Sequence, residues 1–130
     1  MKLTLLFFLS LFPIICTADL LGYVCTIKQE LSVTSDGDFK PHKKPIEIGS
    51  TFGVDRKTGK IIGRPFTNAT AKEIRIITQG NSSRNFEVLS ASSPTGKATT
   101  DLVIIHEWEK NYEKTFTALS NDTAYSGICI

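Results

Sequence analysis

The chain has 130 residues and a formal net charge of +2. That length suits one domain, and a near-neutral balance lacks the electrostatic footprint of a nucleic-acid binder or of a protein held to an anionic membrane surface. Basic residues are scattered, and the densest cluster, Lys40 to Lys44, is broken by Pro41 and His42 and reads as a solvated loop.

Met1-Lys2 is followed by an almost unbroken apolar run from Leu3 to Ile15, then by Cys16-Thr17-Ala18 before Asp19. A charged start, an apolar stretch and small residues before a polar one predict a secretory signal peptide over 1–18. The run is shorter than the roughly 20 apolar residues of a membrane span. Acylation of Cys16 is the lipoprotein alternative, but Ile14 and Ile15 stand where small residues belong. Cleavage leaves 19–130 as the mature domain, with no stable membrane insertion expected. Losing Lys2 lowers the net charge by one.

Of three cysteines, Cys16 leaves with the leader, and Cys25 and Cys129 remain. An even pair in an exported domain predicts a disulfide. The alternatives are two free thiols or a metal pair, and neither Cys is accompanied by the clustered His or acid that zinc needs.

Along the mature chain, Tyr23, Cys25, Ile27, Leu31 and Val33 alternate with polar neighbours, Gln29 being the polar exception in the series. Period 2 predicts a half-buried strand with odd positions inward. Ser35 to Asp38 is a turn. Pro45 to Ile48 reads as a short strand ended by Gly49. Thr51 to Val54 and Lys60 to Ile62 form a hairpin around Asp55-Arg56-Lys57-Thr58-Gly59, with Gly59 expected left-handed on the surface. Ala71 to Thr78 is read as a strand over a competing helix, on the alternation of Ile74 and Ile76 with Glu73 and Arg75.

After a turn at Gln79 to Ser83, Phe86, Val88 and Ser90 mark the next strand. Ser92 to Thr99 is a loop containing Pro94 and Gly96. Leu102 to Ile105 is apolar on both faces, hence central, and is expected to continue through His106-Glu107-Trp108. Tyr112 to Leu119 and Tyr125 to Ile130 complete the set around a turn at Ser120 to Thr123. Seven or eight short strands, with the disulfide drawing first to last, predict an all-β, closed or nearly closed antiparallel barrel; the alternative is a two-sheet sandwich.

Catalytic signatures are sparse. The histidines are His42 and His106, and no G-x-S-x-G elbow, phosphate-binding glycine loop or H-x-x-x-H spacing occurs. No cofactor or metal is expected. Glu107 and Glu109 share a strand face on this reading and could form an acid–base pair; the simpler reading leaves both solvated while Trp108 packs in the core. The opposing reading puts Trp108 at the rim with Tyr112 beside it. Trp108, Tyr112 and Arg56 are the candidate contact residues. Asn68, Asn81 and Asn121 open sequons in predicted turns, where glycans would be tolerated.

The stretch Phe52-Gly53-Val54-Asp55-Arg56-Lys57-Thr58-Gly59, with Cys25 early and Gly127-Ile128-Cys129 late, resembles small exported bacterial proteins, periplasmic or secreted, that share an F-x-V-D-R-x-T-G hairpin and a terminal G-x-C. No activity is assigned to that group, so the resemblance implies a compartment and no catalytic residue. Periplasmic lysozyme inhibitors are also small disulfide-bonded barrels; their S-G-x-x-Y loop is replaced here by Ser126-Gly127-Ile128-Cys129-Ile130. The expectation is an exported, non-catalytic binding or envelope-interaction module whose partner is a protein or an envelope component. A barrel holding a small apolar ligand is the alternative, and an inhibitor of a secreted hydrolase stands behind it.

Overall fold

A computed structural model describes residues 22–92 and 98–130. The expected leader over 1–18 and the Pro94–Gly96 part of the 92–99 loop lie outside the described residues. Among those described are nine strands: β1 (Gly22–Val33), β2 (Phe39–Pro41), β3 (Thr51–Asp55), β4 (Ile61–Gly63), β5 (Glu73–Asn81), β6 (Arg84–Ser92), β7 (Thr99–Ile105), β8 (Lys114–Ser120) and β9 (Thr123–Cys129). All pair antiparallel in the order β4-β3-β1-β9-β8-β7-β6-β5, with β2 on the second half of β1. The sheet curls into an all-β half-barrel, as the alternating pattern predicts.

First and last strands are neighbours, as expected, but in the middle of the sheet. Val24 and Ile130 exchange backbone hydrogen bonds of 2.9 and 3.0 Å. Cys25 and Cys129, one step along, are therefore a close non-hydrogen-bonded pair, with Cα atoms 3.9 Å apart. The Cys25–Cys129 disulfide closes a sequence separation of 104 residues.

The barrel is instead drawn towards closure by the β3–β4 hairpin. A Cβ on Gly59 would lie 2.9 Å from Val88 Cγ2, 3.0 Å from Ile76 Cγ1 and 3.1 Å from Ile74 Cγ2. The hairpin loop thus sits on the concave side of β5 and β6. Gly59 has φ 71°, the left-handed conformation expected, yet it is buried rather than on the surface. Asn68 finishes the loop: its Oδ1 accepts from Ile61 N at 2.6 Å and its Nδ2 donates to Gly59 O at 3.0 Å. Asn68 is 1% exposed, so its sequon is closed, contrary to the surface turn expected. Asn81 and Asn121 are exposed.

Concave positions hold the core. Phe52, Phe66, Phe86 and Phe116 are fully buried with Ile27, Ile61, Ile105, Val88 and Val103. Phe52 meets Phe66 and Phe116 edge-on at 5.0 and 5.2 Å, and Phe66 meets Tyr125 at 4.9 Å, the arrangement favoured by ring quadrupoles.

Two segments depart from the alternation. A register shift between Ile27 and Gln29 reverses the facing of β1, so that Glu30 turns inward while Val33 is exposed. Gln29 is polar in an apolar series because it sits at this bulge. Residues Pro45 to Ile48 form no strand; the short strand is β2, at Phe39–Pro41. There Glu47 is buried, its N–H donating to Glu30 Oε2 at 3.1 Å, and Ile46 and Ile48 face solvent.

Candidate functional site

Strand β7 stops at Ile105, and the chain turns at once, Glu107 N donating to Ile105 O at 2.9 Å. The turn reverses the expected facing. Glu107 goes inward with its side chain 6% exposed, while Trp108 is 52% exposed. The core placement expected for Trp108 is therefore corrected: its register belonged to a strand that has already ended. Nor are the two acids solvated side by side, because each is engaged by a different partner.

Glu107 is the knot of a polar clasp. Tyr23 at the start of β1 donates its hydroxyl to Oε1. Arg56, from the β3–β4 loop, donates through one terminal nitrogen to Oε2 at 3.0 Å and to Gln79 O on β5 at 3.2 Å. Its Nε lies 2.9 Å from Oε1 but off the hydrogen-bond direction, so that contact is ionic. The guanidinium carbon stands 5.8 Å from the Tyr23 ring centroid, within cation–π range. Gly80, at φ 73°, leaves room for the carboxylate; a Cβ there would collide with it.

Burial pushes the Tyr23 phenol well above its ordinary value, and the hydrogen bond and charge of Glu107 add to this while Arg56 opposes it. Both Glu107 oxygens are occupied. The carboxylate ties β1, the β3–β4 loop and the 106–113 connection together, with Arg56 carrying the tie on to β5.

Beyond the clasp, the connection is fixed bond by bond. Glu109 Oε2 accepts from Thr115 N at 2.7 Å and Oε1 from Thr115 Oγ1 at 2.8 Å. These bonds hold the Glu109 carboxyl below the usual range, the backbone bond contributing most. His106 Nδ1 pairs with Thr115 Oγ1 at 2.8 Å, its backbone N–H donates to Thr115 O at 2.9 Å, and Lys114 Nζ donates to Glu109 O. The His106 ring stands 6.1 Å from Trp108, tilted 35°.

Trp108 borders two open clefts. One, of about 470 Å³, is lined by Arg56, Asn81, Glu109, Lys110 and Lys114 among others. The second, of about 500 Å³, includes Thr78, Arg84, Asn85 and Glu87. Tyr112 lies on the same connection, 80% exposed.

Of the three candidate contact residues, the structure places Trp108 and Arg56 on one cleft; Tyr112 is on the same loop but does not line it. Tyr23 and Gly80 are the members that sequence reasoning missed, while Glu107, weighed there as a solvated acid or one half of an acid–base pair with Glu109, is buried instead. Their partnerships span 84 residues for Tyr23–Glu107 and 51 for Arg56–Glu107, beyond any local pattern. Among the described residues, no group of three His, Cys, Asp or Glu could hold a metal ion, and no helix is long and apolar enough to cross a membrane. Comparison with protein-family models, curated proteins and solved structures finds no match.

Proposed function

We propose that this chain is an exported, non-catalytic binding module that meets an envelope or extracellular partner through the Trp108 loop. One observation carries the reading: a half-exposed Trp stands on a connection whose backbone is held by Glu107 below and by Glu109, His106 and Lys114 around Thr115. Such a ring loses little freedom on binding, so most of its contact area becomes affinity. The Cys25–Cys129 disulfide and the leader-like start favour an oxidising compartment. Edge-on packing of Phe52, Phe66, Phe116 and Tyr125 across the concave side favours a surface site over an interior one for an apolar ligand.

The test is affinity capture from an extract of the native compartment, using residues 19–130 as bait. Trp108→Ala should melt like the parent and lose the captured species. Ile46→Ala, an exposed apolar change on the β2–β3 connection beside Glu47, should keep it. Equal capture by all three baits refutes the reading.

A further inference from the structure

The setting of Trp108 also specifies what chemistry it suits. Tyr23 apart, the side chains that share the two clefts with this indole are polar or charged. Protein-binding hot spots have the opposite anatomy, an apolar centre with polar groups confined to the rim. Asn81 and Glu109 line one of the clefts that Trp108 borders, and Asn85, Glu87 and Thr78 line the other. Bonds within the second group are long: Thr78 Oγ1 to Glu87 Oε2 is 3.3 Å and Asn85 Nδ2 to Glu87 Oε1 is 3.5 Å. This second group retains hydrogen-bonding capacity for a ligand.

Charge narrows the class. Arg56 is neutralised by Glu107, while Lys114, bonded to the Glu109 carbonyl, keeps its charge. Lys110, Lys114 and Arg84 are then set against Glu109 and Glu87 on the two clefts, an excess of one positive charge and too little to select a polyanion. What fits is a neutral molecule with a flat C–H face for the indole and a rim of hydroxyls for amides and carboxylates. A pyranose ring has that form. Two clefts that share Trp108, each within the usual size range of small-ligand sites, admit a chain of such rings.

We propose that Trp108 is the stacking platform for an uncharged oligosaccharide that crosses it between the Glu109 side and the Glu87 side. The proposal rests on the reading of the Trp108 loop as the contact surface. The His106 ring, bonded to Thr115, stands 6.1 Å from the indole.

Trp108 is the only tryptophan of the chain, so its emission reports contact directly. Residues 19–130 are titrated with chitohexaose, cellohexaose and maltohexaose, and with a heparin hexasaccharide as the anionic comparator. At least one neutral sugar should produce a saturable change in emission. By calorimetry, Trp108→Ala should weaken its binding about tenfold or more, a loss of about 1.4 kcal/mol or greater. Trp108→Phe, which keeps a flat ring, should recover part of that loss.

No saturable binding by any of the three neutral sugars overturns the proposal, as does binding of the heparin hexasaccharide alone or binding unaffected by Trp108→Ala. If the sugars fail while Trp108-dependent capture of a protein succeeds, the glycan assignment falls and the contact surface stands. If both fail, both fall.

Discussion

Glu107 and Arg56 form an unequal pair, and that inequality can be measured. The Glu107 side chain is 6% exposed and that of Arg56 39%. Removing one partner of a buried ion pair costs about 3–5 kcal/mol when the other charge is stranded. Arg56→Met strands a buried carboxylate with only the Tyr23 hydroxyl for company, so a loss of about 3 kcal/mol is expected, at the low end because that bond persists. Glu107→Gln strands a guanidinium that already reaches solvent, while the amide keeps a partner for Tyr23. Discounted for that exposure, its cost should be about 1 kcal/mol. The double variant should cost less than the two summed, with a coupling of about 1–2 kcal/mol. Urea unfolding with the disulfide intact, at constant slope, gives all three values. A Glu107→Gln loss equal to or above that of Arg56→Met, or additivity within about 0.5 kcal/mol, would refute the clasp as the tie between the hairpin loop and the rest of the barrel.

Gly59→Ala should destabilise by about 2–4 kcal/mol, combining left-handed backbone strain with crowding of Val88, Ile76 and Ile74; an unchanged melting temperature would show that the hairpin does not seat on β5 and β6. Asn68→Ala should cost about 2–4 kcal/mol by orphaning Ile61 N–H and Gly59 C=O, read by the same urea titration. Tyr23 and Tyr125 are both raised, chiefly by burial, so neutral phenols stabilise the fold fully below about pH 10 and that contribution fades as pH climbs through the raised values. Phenolate absorbance of the folded protein should therefore show Tyr23 and Tyr125 still protonated where a denatured sample is half ionised; superimposable curves would contradict the burial of both. Cys25 and Cys129 should resist alkylation without reductant, and replacing both with Ala should cost about 2–5 kcal/mol; a labelled thiol would contradict the bridge.

Much of the barrel was legible because its strands carry their facing in the chain. Phe86, Val88 and Ser90, or Phe116 and Ala118, lie inward where period 2 puts them. The β3–β4 hairpin and the conformation of Gly59 followed from loop chemistry, and the disulfide from the pairing of two cysteines. The failures share one cause. In Ile46-Glu47-Ile48 and in His106-Glu107-Trp108, hydrophobicity points the flanking residues inward, yet the glutamate is the buried one. Each carboxylate takes an ion-pair partner distant in sequence, Arg64 for Glu47 and Arg56 for Glu107, with Tyr23 also reaching Glu107 from far along the chain. Burial of a charge depends on partners that only the fold assembles, and no period in the chain announces them. Trp108 was misplaced for the same reason, since its exposure is the other side of Glu107 turning in.

Placing β9 between β1 and β8 also has a kinetic meaning. Strand β1 pairs along most of its length with residues about a hundred positions later, and β9 fills the centre of the sheet rather than an edge. Pairings that remote raise contact order and place folding among the slower, millisecond-to-second class of β proteins. Until β9 arrives, the β1–β3–β4 unit and the β5–β8 meander each present a bare strand edge to any other chain nearby. The growing chain is therefore most exposed to mispairing just before its last strand is in place, and a chaperone acting on it should bind tightest to chains that end short of Thr123.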